Sequence, residues 1–315
     1  TSFTGKDLLR TTLRAGNFSD SPWGGRTIGS NGANLNLNAL EIAFQEELGN
    51  ADGGDVVAIN RLFYQFPIGS GFTATFGARV RQDDMLAMWP SAYPADTVLD
   101  IFTYAGAPGT YNLNLGAGAG IWYQKNGWNL SLNYVAGNGD VGNSYEGGIA
   151  TDGSAETGTF QVGYAGGNWG IAAAYNYSNG VGPAAGTPFA VLGGSDILDG
   201  IVGSVNSVGI SAYWQPKASG WMPSISAGWG INSYNLDDDL TDFDGGVTSN
   251  SWYLGLQWND AFIKGNALGM AVGQPTFITG CDDDICGGES PKDGNYAWEW
   301  WYKFQVTDNI SVTPA

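Results

Sequence analysis

Tyr296-Ala-Trp-Glu-Trp-Trp-Tyr-Lys-Phe-Gln-Val306 sorts its side chains by parity: Tyr296, Trp298, Trp300, Tyr302, Phe304 and Val306 fall on one side, and Ala297, Glu299, Trp301, Lys303 and Gln305 on the other. Successive side chains of an extended strand point to opposite faces, so this segment carries one broad apolar face and one mostly polar face. Similar segments recur along most of the chain. Together their rings exceed what a compact aqueous core would hide, and hydrocarbon is the surrounding that accepts them.

The alternation predicts strands at about residues 5–15, 57–67, 71–82, 111–124, 127–137, 157–165, 168–178, 204–215, 221–234, 249–259, 265–274 and 294–306, with a last one starting at 309. Many are close to the roughly 9–11 residues that cross a bilayer at a tilt. Their apolar rows include Leu9 and Leu13; Leu62, Tyr64 and Phe66; Phe72, Phe76 and Val80; Leu113, Leu115, Ile121 and Tyr123; and Trp128, Leu130, Leu132 and Tyr134. Connections alternate in length too. Short turns near Gly69, Asn126, Gly167, Ser219, Lys264 and Asp308 are separated by long loops rich in Gly, Asp, Asn and Ser. Short turns at one rim and long loops at the other describe an outer-membrane barrel.

Residues 36–47 also alternate, but counting them as a span would move the Gly69 turn to the other rim, so they are assigned to an extracellular excursion. That leaves 13 spans, an odd number, whereas closed bacterial barrels carry an even one. The expected fold is therefore all-β, a transmembrane antiparallel β-barrel forming a single domain over residues 1–315 and incomplete at both ends. Thr1 opens the chain with no signal peptide before it, which fits a mature, trimmed or partial product.

Composition narrows the function. Charged residues are only 13% of the chain, about half the share of an ordinary soluble domain, yet mean hydropathy is −0.13. No apolar run reaches the roughly 18–20 residues of a transmembrane helix, so a membrane reading has to be a β reading. A net charge of −18 without a basic stripe argues against nucleic acid as a partner. With no histidine, no Gly-x-Ser-x-Gly elbow and no helical scaffold for a phosphate loop, catalysis has little support.

Opposite the apolar rows stand Arg10, Arg14, Arg61, Arg79, Arg81, Glu299 and Lys303, accompanied by Thr75, Asn129, Ser131 and Asn133. A water-filled lumen tolerates such charges, while a dry core would need each one paired. Six of the 12 basic residues fall in this set, and most acids fall in the long loops, so the pattern predicts an acidic mouth and a basic inner wall with the arginines at a constriction. Arg79 and Arg81 could equally pair with Asp83 and Asp84 and only hold the loop in place. That loop, residues 83–104, is too apolar to hang in water; it folds into the barrel or lies over a neighbouring subunit.

Cys281 and Cys286, in an acidic loop, make a poor zinc set without histidine and suit a loop-stapling disulfide in an oxidising exterior. Asp237, Asp239, Asp242 and Asp244 offer enough carboxylate for an adventitious Ca²⁺ but lack the EF-hand spacing, and a solvated acidic loop is the plainer reading. Gly116-Ala-Gly-Ala-Gly120 has neither the spacing nor the following helix of a nucleotide-binding turn. No cofactor is expected.

Thr1-Ser-Phe-Thr-Gly-Lys-Asp-Leu-Leu-Arg-Thr-Thr-Leu-Arg-Ala-Gly-Asn17 resembles the start-of-strand signature of the cyanobacterial major outer-membrane porins, grouped with carbohydrate-selective porins and often labelled iron-uptake porins. Leu62-Phe-Tyr-Gln-Phe-Pro-Ile-Gly69 and Asp308-Asn-Ile-Ser-Val-Thr-Pro-Ala315 resemble two more of that family's signatures. The resemblance implies a passive homotrimeric channel for inorganic ions, small solutes or sugars. Its other partners are outer-membrane lipid and lipopolysaccharide. It also implies a periplasmic surface-layer-homology domain and coiled-coil spacer, absent from these residues, through which peptidoglycan or its linked polymer would be bound. A hairpin before Thr1 and a strand after Ala315 would bring the count to about 16, within a range of roughly 14–18. The rival reading is a secreted or surface all-β carbohydrate-binding module or adhesin, which would place its rings on exposed loops rather than in register on strands.

Overall fold

The computed structural model describes residues 2–16, 26–28, 44–46, 56–95, 97–187, 190, 202–236, 246–286 and 294–314. Its strands are β1 (Leu8–Ala15), β2 (Arg26–Ile28), β3 (Phe44–Glu46), β4 (Val57–Ile68), β5 (Phe72–Arg81), β6 (Leu115–Lys125), β7 (Trp128–Ala136), β8 (Glu156–Gly166), β9 (Trp169–Asn179), β10 (Val202–Trp214), β11 (Ser224–Leu236), β12 (Gly246–Asn259), β13 (Ala267–Cys281), β14 (Ala297–Thr307) and β15 (Ile310–Val312). Thirteen of them form one sheet in the order β1-β4-β5-β6 and on consecutively to β15, and the neighbours whose register is defined are antiparallel. Within the excursion at 36–47, residues 44–46 pair in parallel with β2 in a separate two-stranded sheet; the remaining residues lie outside those described. No helix among the described residues is long and apolar enough to cross a membrane, which says nothing of strands.

Parity governs exposure as the opening segment requires. On β14, Trp298 is 69% and Trp300 55% exposed, while Glu299 and Trp301 are 5% and 6% exposed. Leu132, Phe160, Ile171 and Ile210 repeat the outward pattern, and Ser131, Thr159, Ala172 and Ser211 between them are buried. The tight turn between β6 and β7 shows how sequence sets the local bend: Asn126 and Gly127 both take positive φ, 54° and 84°, as a two-residue hairpin demands.

Two outward assignments fail for identifiable reasons. A bulge between Gly77 and Val80 inserts a residue into β5, which changes the phase of the alternation. Val80 is thereby turned inward and fully buried with Phe63, Met85 and Val135. Leu113 precedes β6, which begins at Leu115 rather than near 111; it takes a positive φ of 55° and is buried against the inner apolar cluster.

The segment leading into β1 has its own organiser. The Asp7 carboxylate accepts from Ser2 Oγ at 2.8 Å, the Thr4 amide at 2.6 Å, the Phe3 amide, the Thr4 hydroxyl and Tyr64 Oη at 2.9 Å on β4. The Thr4 hydroxyl above all, with the two amides and Ser2, holds its carboxyl well below the usual range against the effect of burial. The Ser-Phe-Thr-Gly-Lys-Asp run is thus a local fold that sets where β1 starts.

Candidate functional site

The connection from β5 to β6, residues 82–114, does not extend outward. It crosses the inner face of the sheet as a strap. The Ala87 amide donates to Ser131 Oγ on β7 (2.8 Å), Tyr111 Oη to Gln161 on β8 (2.8 Å), and the Ala92 amide to Ser226 Oγ on β11 (2.8 Å). Ser211 on β10 and Ser251 on β12 donate to the carbonyls of Ala105 and Gly106. One segment meeting one face from β7 round to β14 requires that face to be concave. Much of the inner row reserved for water, including Thr75, Asn129, Ser131 and Asn133, is buried.

The sheet is carved to admit this strap. A Cβ on Gly228 would collide with the Ala105 carbonyl, and one on Gly255 would stand 2.6 Å from the Tyr93 ring. Glycines inside strands normally weaken them; here they buy close approach of a second backbone.

The near end of the strap is ionic. Asp84 receives Arg10 Nη1 at 3.1 Å from β1 and Arg61 Nε from β4. Arg61, 4% exposed, also donates to the Asn60 side chain at 2.7 Å. Arg81 grips Asp83 with two bonds, Nε to Oδ1 and Nη2 to Oδ2, each 2.6 Å, while the Arg81 amide donates to Asp84 at 3.0 Å. Burial pushes the Asp83 carboxyl up, but the Arg81 guanidinium, helped by Arg61, prevails and holds it below the ordinary range.

The far end is built from uncharged donors. Glu299 on β14 accepts from Tyr93 Oη at 2.9 Å and from the Leu99 amide at 2.8 Å, and Trp301 Nε1 donates to Tyr93 Oη at 2.9 Å. Burial, with the Glu299 carboxylate beside it, pushes the Tyr93 phenol far above its usual value. Tyr93, Ile101, Phe102, Tyr104, Tyr253 and Trp301 close over this anchor as an apolar cluster. Beside Asp83 at the near end, Gln82 is fully buried and donates to the Thr110 carbonyl and Thr159 Oγ1.

Of the residues assigned to a constriction, Arg10, Arg61 and Arg81 converge on the strap's near end, and Glu299 holds its far end under cover rather than facing open water. Arg79 stands opposite Leu62 across the bulge, and no hydrogen bond reaches its buried Nε. Arg14 is opposite Ala58, and Lys303 is half-buried opposite Ala267 on β13. Cys281 and Cys286 are joined in a disulfide across a Cα separation of 6.0 Å. Asp237, Asp239, Asp242 and Asp244 lie outside the described residues, and no group of three metal-ligating side chains occurs among those described. Tyr93, Tyr111 and Gln82 went unrecognised in the sequence; the available signal was the set of glycines at inward positions of β11 and β12.

No family model matches the chain. An uncharacterized protein of Synechocystis sp. is 27% identical over 337 residues, covering 100% of this chain and 57% of the relative. One of Nostoc sp. is 27% identical over 351 residues, covering 100% and 54%. The chain thus spans about half the length of the curated relatives it matches. Among solved structures, an anion-selective porin from Comamonas acidovorans is 11% identical over 80% of this chain and 75% of that one, with a TM-score of 0.46. Pseudomonas putida OprB at high pH is 13% identical, covers 87% of this chain and 70% of that one, and reaches a TM-score of 0.51, a likeness of fold. The all-β antiparallel sheet of this chain has the porin architecture.

Proposed function

We propose that this chain is the barrel of an outer-membrane diffusion channel for inorganic ions and small hydrophilic solutes, working without an energy source and without catalysis. The observation that carries it is the register of exposed apolar side chains: Phe76 at 54%, Trp128 at 55%, Leu132 at 56%, Trp298 at 69% and Trp300 at 55% exposed are all on the outward parity of their strands. An apolar band of that extent suits hydrocarbon and would aggregate in water. An adhesin would need those rings on loops.

The strap coats β7 to β12 and β14, whereas Arg10 on β1 keeps 45% of its side chain exposed after pairing with Asp84. The passage is therefore placed beside Arg10 on β1, since Arg61 on β4 and Thr75 on β5 are themselves covered. Arg10, Arg14, Arg61, Arg79 and Arg81 on β1, β4 and β5 give that side a basic field, with Lys303 on β14 adding to it, and Asp83 and Asp84 weaken it, so selectivity is weak. The working form is a homotrimer in outer-membrane lipid and lipopolysaccharide, attached to peptidoglycan or its linked polymer through a domain outside these residues. The test is reconstitution in a planar bilayer, with reversal potentials in asymmetric salt and sizing by sugar exclusion. Discrete steps with a small reversal potential are expected. Recovery from a detergent-free supernatant without conductance would refute the channel.

A further inference from the structure

Two neighbouring short turns expose apolar side chains that the strands do not require. Trp221 and Met222 lie in the turn from β10 to β11 and are 85% and 39% exposed; Phe262 and Ile263 lie in the turn from β12 to β13 and are 87% and 61% exposed. Loose turns would fold such groups away. These are held open.

The second turn is fixed by the Gly265 amide on Asp260 Oδ1 (2.7 Å), the Asn266 amide on the Ile263 carbonyl (3.1 Å) and Tyr302 Oη on the Ala261 carbonyl (2.8 Å). Phe262 has a φ of 63°, a left-handed conformation that costs a bulky residue energy and persists only where its surroundings impose it. Ser219 of the first turn hydrogen-bonds Asp260 of the second, and Trp258 Nε1 holds the Trp221 carbonyl at 2.9 Å. The two turns are one braced unit.

Its direction is outward. The Phe262 ring lies 5.9 Å from Tyr302, which contacts Phe304 at 4.5 Å on the outward row of β14, so the projecting groups continue the apolar surface of the strands. Exposed Lys217 and Lys264 flank them, a cationic edge on a chain of net charge −18. Apolar groups bordered by ammonium groups match the boundary between acyl chains and phosphates.

We infer that these two turns form a wedge seated in the phospholipid leaflet at the short-turn rim, its rings among the upper acyl carbons and Lys217 and Lys264 on lipid phosphates. This rests on the membrane reading above, and the test separates the two. Because the native cysteines are bonded to each other, Phe262→Cys, and Leu254→Cys on the outward face of β12, each add one thiol for a nitroxide label. In vesicles of phosphatidylcholine with phosphatidylglycerol, both labels are expected to collide more with oxygen than with a water-soluble nickel chelate, the one at 262 at about 5–10 Å below the headgroups. A label in lipid at 254 and in water at 262 overturns the wedge alone. One in water at 254 overturns the membrane reading itself. Lys217→Glu with Lys264→Glu is expected to lift the 262 label toward water when phosphatidylglycerol is present and much less in phosphatidylcholine alone; an equal response in both overturns the phosphate contact.

Discussion

The two ends of the strap are tied by unlike chemistry. At the near end Asp83 and Asp84 meet guanidinium groups from β1, β4 and β5, while at the far end Glu299 is met by a phenol, a backbone amide and, through the phenol, an indole. Charge holds the end beside the wall that carries Arg10. Neutral donors hold the end sealed by the apolar cluster around Tyr93. On the channel reading proposed above, one element both obstructs the lumen and sets its field, since the acids anchoring it also neutralise the basic wall.

The largest test removes the comparison altogether. Deleting residues 86–103 takes out the far anchor and most of the obstructing chain while leaving Asp83 and Asp84 beside their arginines. Single-channel conductance is expected to rise severalfold with little change in ion preference; an unchanged conductance would mean that the strap lies off the conducting path.

Breaking the ionic end comes next. Asp84→Asn leaves Arg61, 4% exposed, without its charge partner, and stranding a buried charge costs about 3–5 kcal/mol. Urea unfolding in detergent should show that loss, and the reversal potential should move toward anions. A cost within about 0.5 kcal/mol, the scale of an ordinary surface change, would mean that water already screens the pair.

At the neutral end, Tyr93→Phe removes the donor to Glu299 and the acceptor for Trp301, with an expected cost of about 1–3 kcal/mol. Amide exchange should rise at Leu99 and leave the segment around Asp83 protected. Equal loosening at both ends would show that the strap opens as a unit.

How much of this was legible beforehand follows from which interactions are local. Strand parity is local, and the segment at Tyr296 predicts the outward Trp298 and the inward side of Glu299, though not that the strap covers Glu299. The pairing of Arg81 with Asp83, two residues apart, was among the open alternatives for the same reason. The bulge that turns Val80 inward depends on the register of two neighbouring strands, which alternation within one strand does not contain. The contact of Tyr93 with Glu299 spans 206 residues and exists only once the sheet has curved. Glycines such as Gly228 and Gly255 mark that contact surface, but in a chain with 50 glycines they do not announce themselves.

The smallest effect separates the ends by pH. The folded Asp83 carboxyl is held below its unfolded value of about 3.9, so its pairing with Arg81 contributes fully above that value and is lost as pH falls through the lower folded one. Protonating Asp83 deprives Arg81 of the carboxylate it grips and leaves that guanidinium beside Arg61, which loosens the near end. At the far end the phenol, amide and indole donors do not change charge in that window, and the Glu299 oxygens still accept from them when its carboxyl is neutral. Exchange measured from neutral pH downward should therefore show amides near Asp83 losing protection below about pH 4, ahead of those at Tyr93 and Leu99. High salt at neutral pH should weaken the same end in the same order, because screening acts on partly exposed ion pairs and hardly at all on buried neutral hydrogen bonds. If the far end released first under either treatment, the division into ionic and neutral anchors would be wrong, and Glu299 rather than Asp83 would govern how the strap sits.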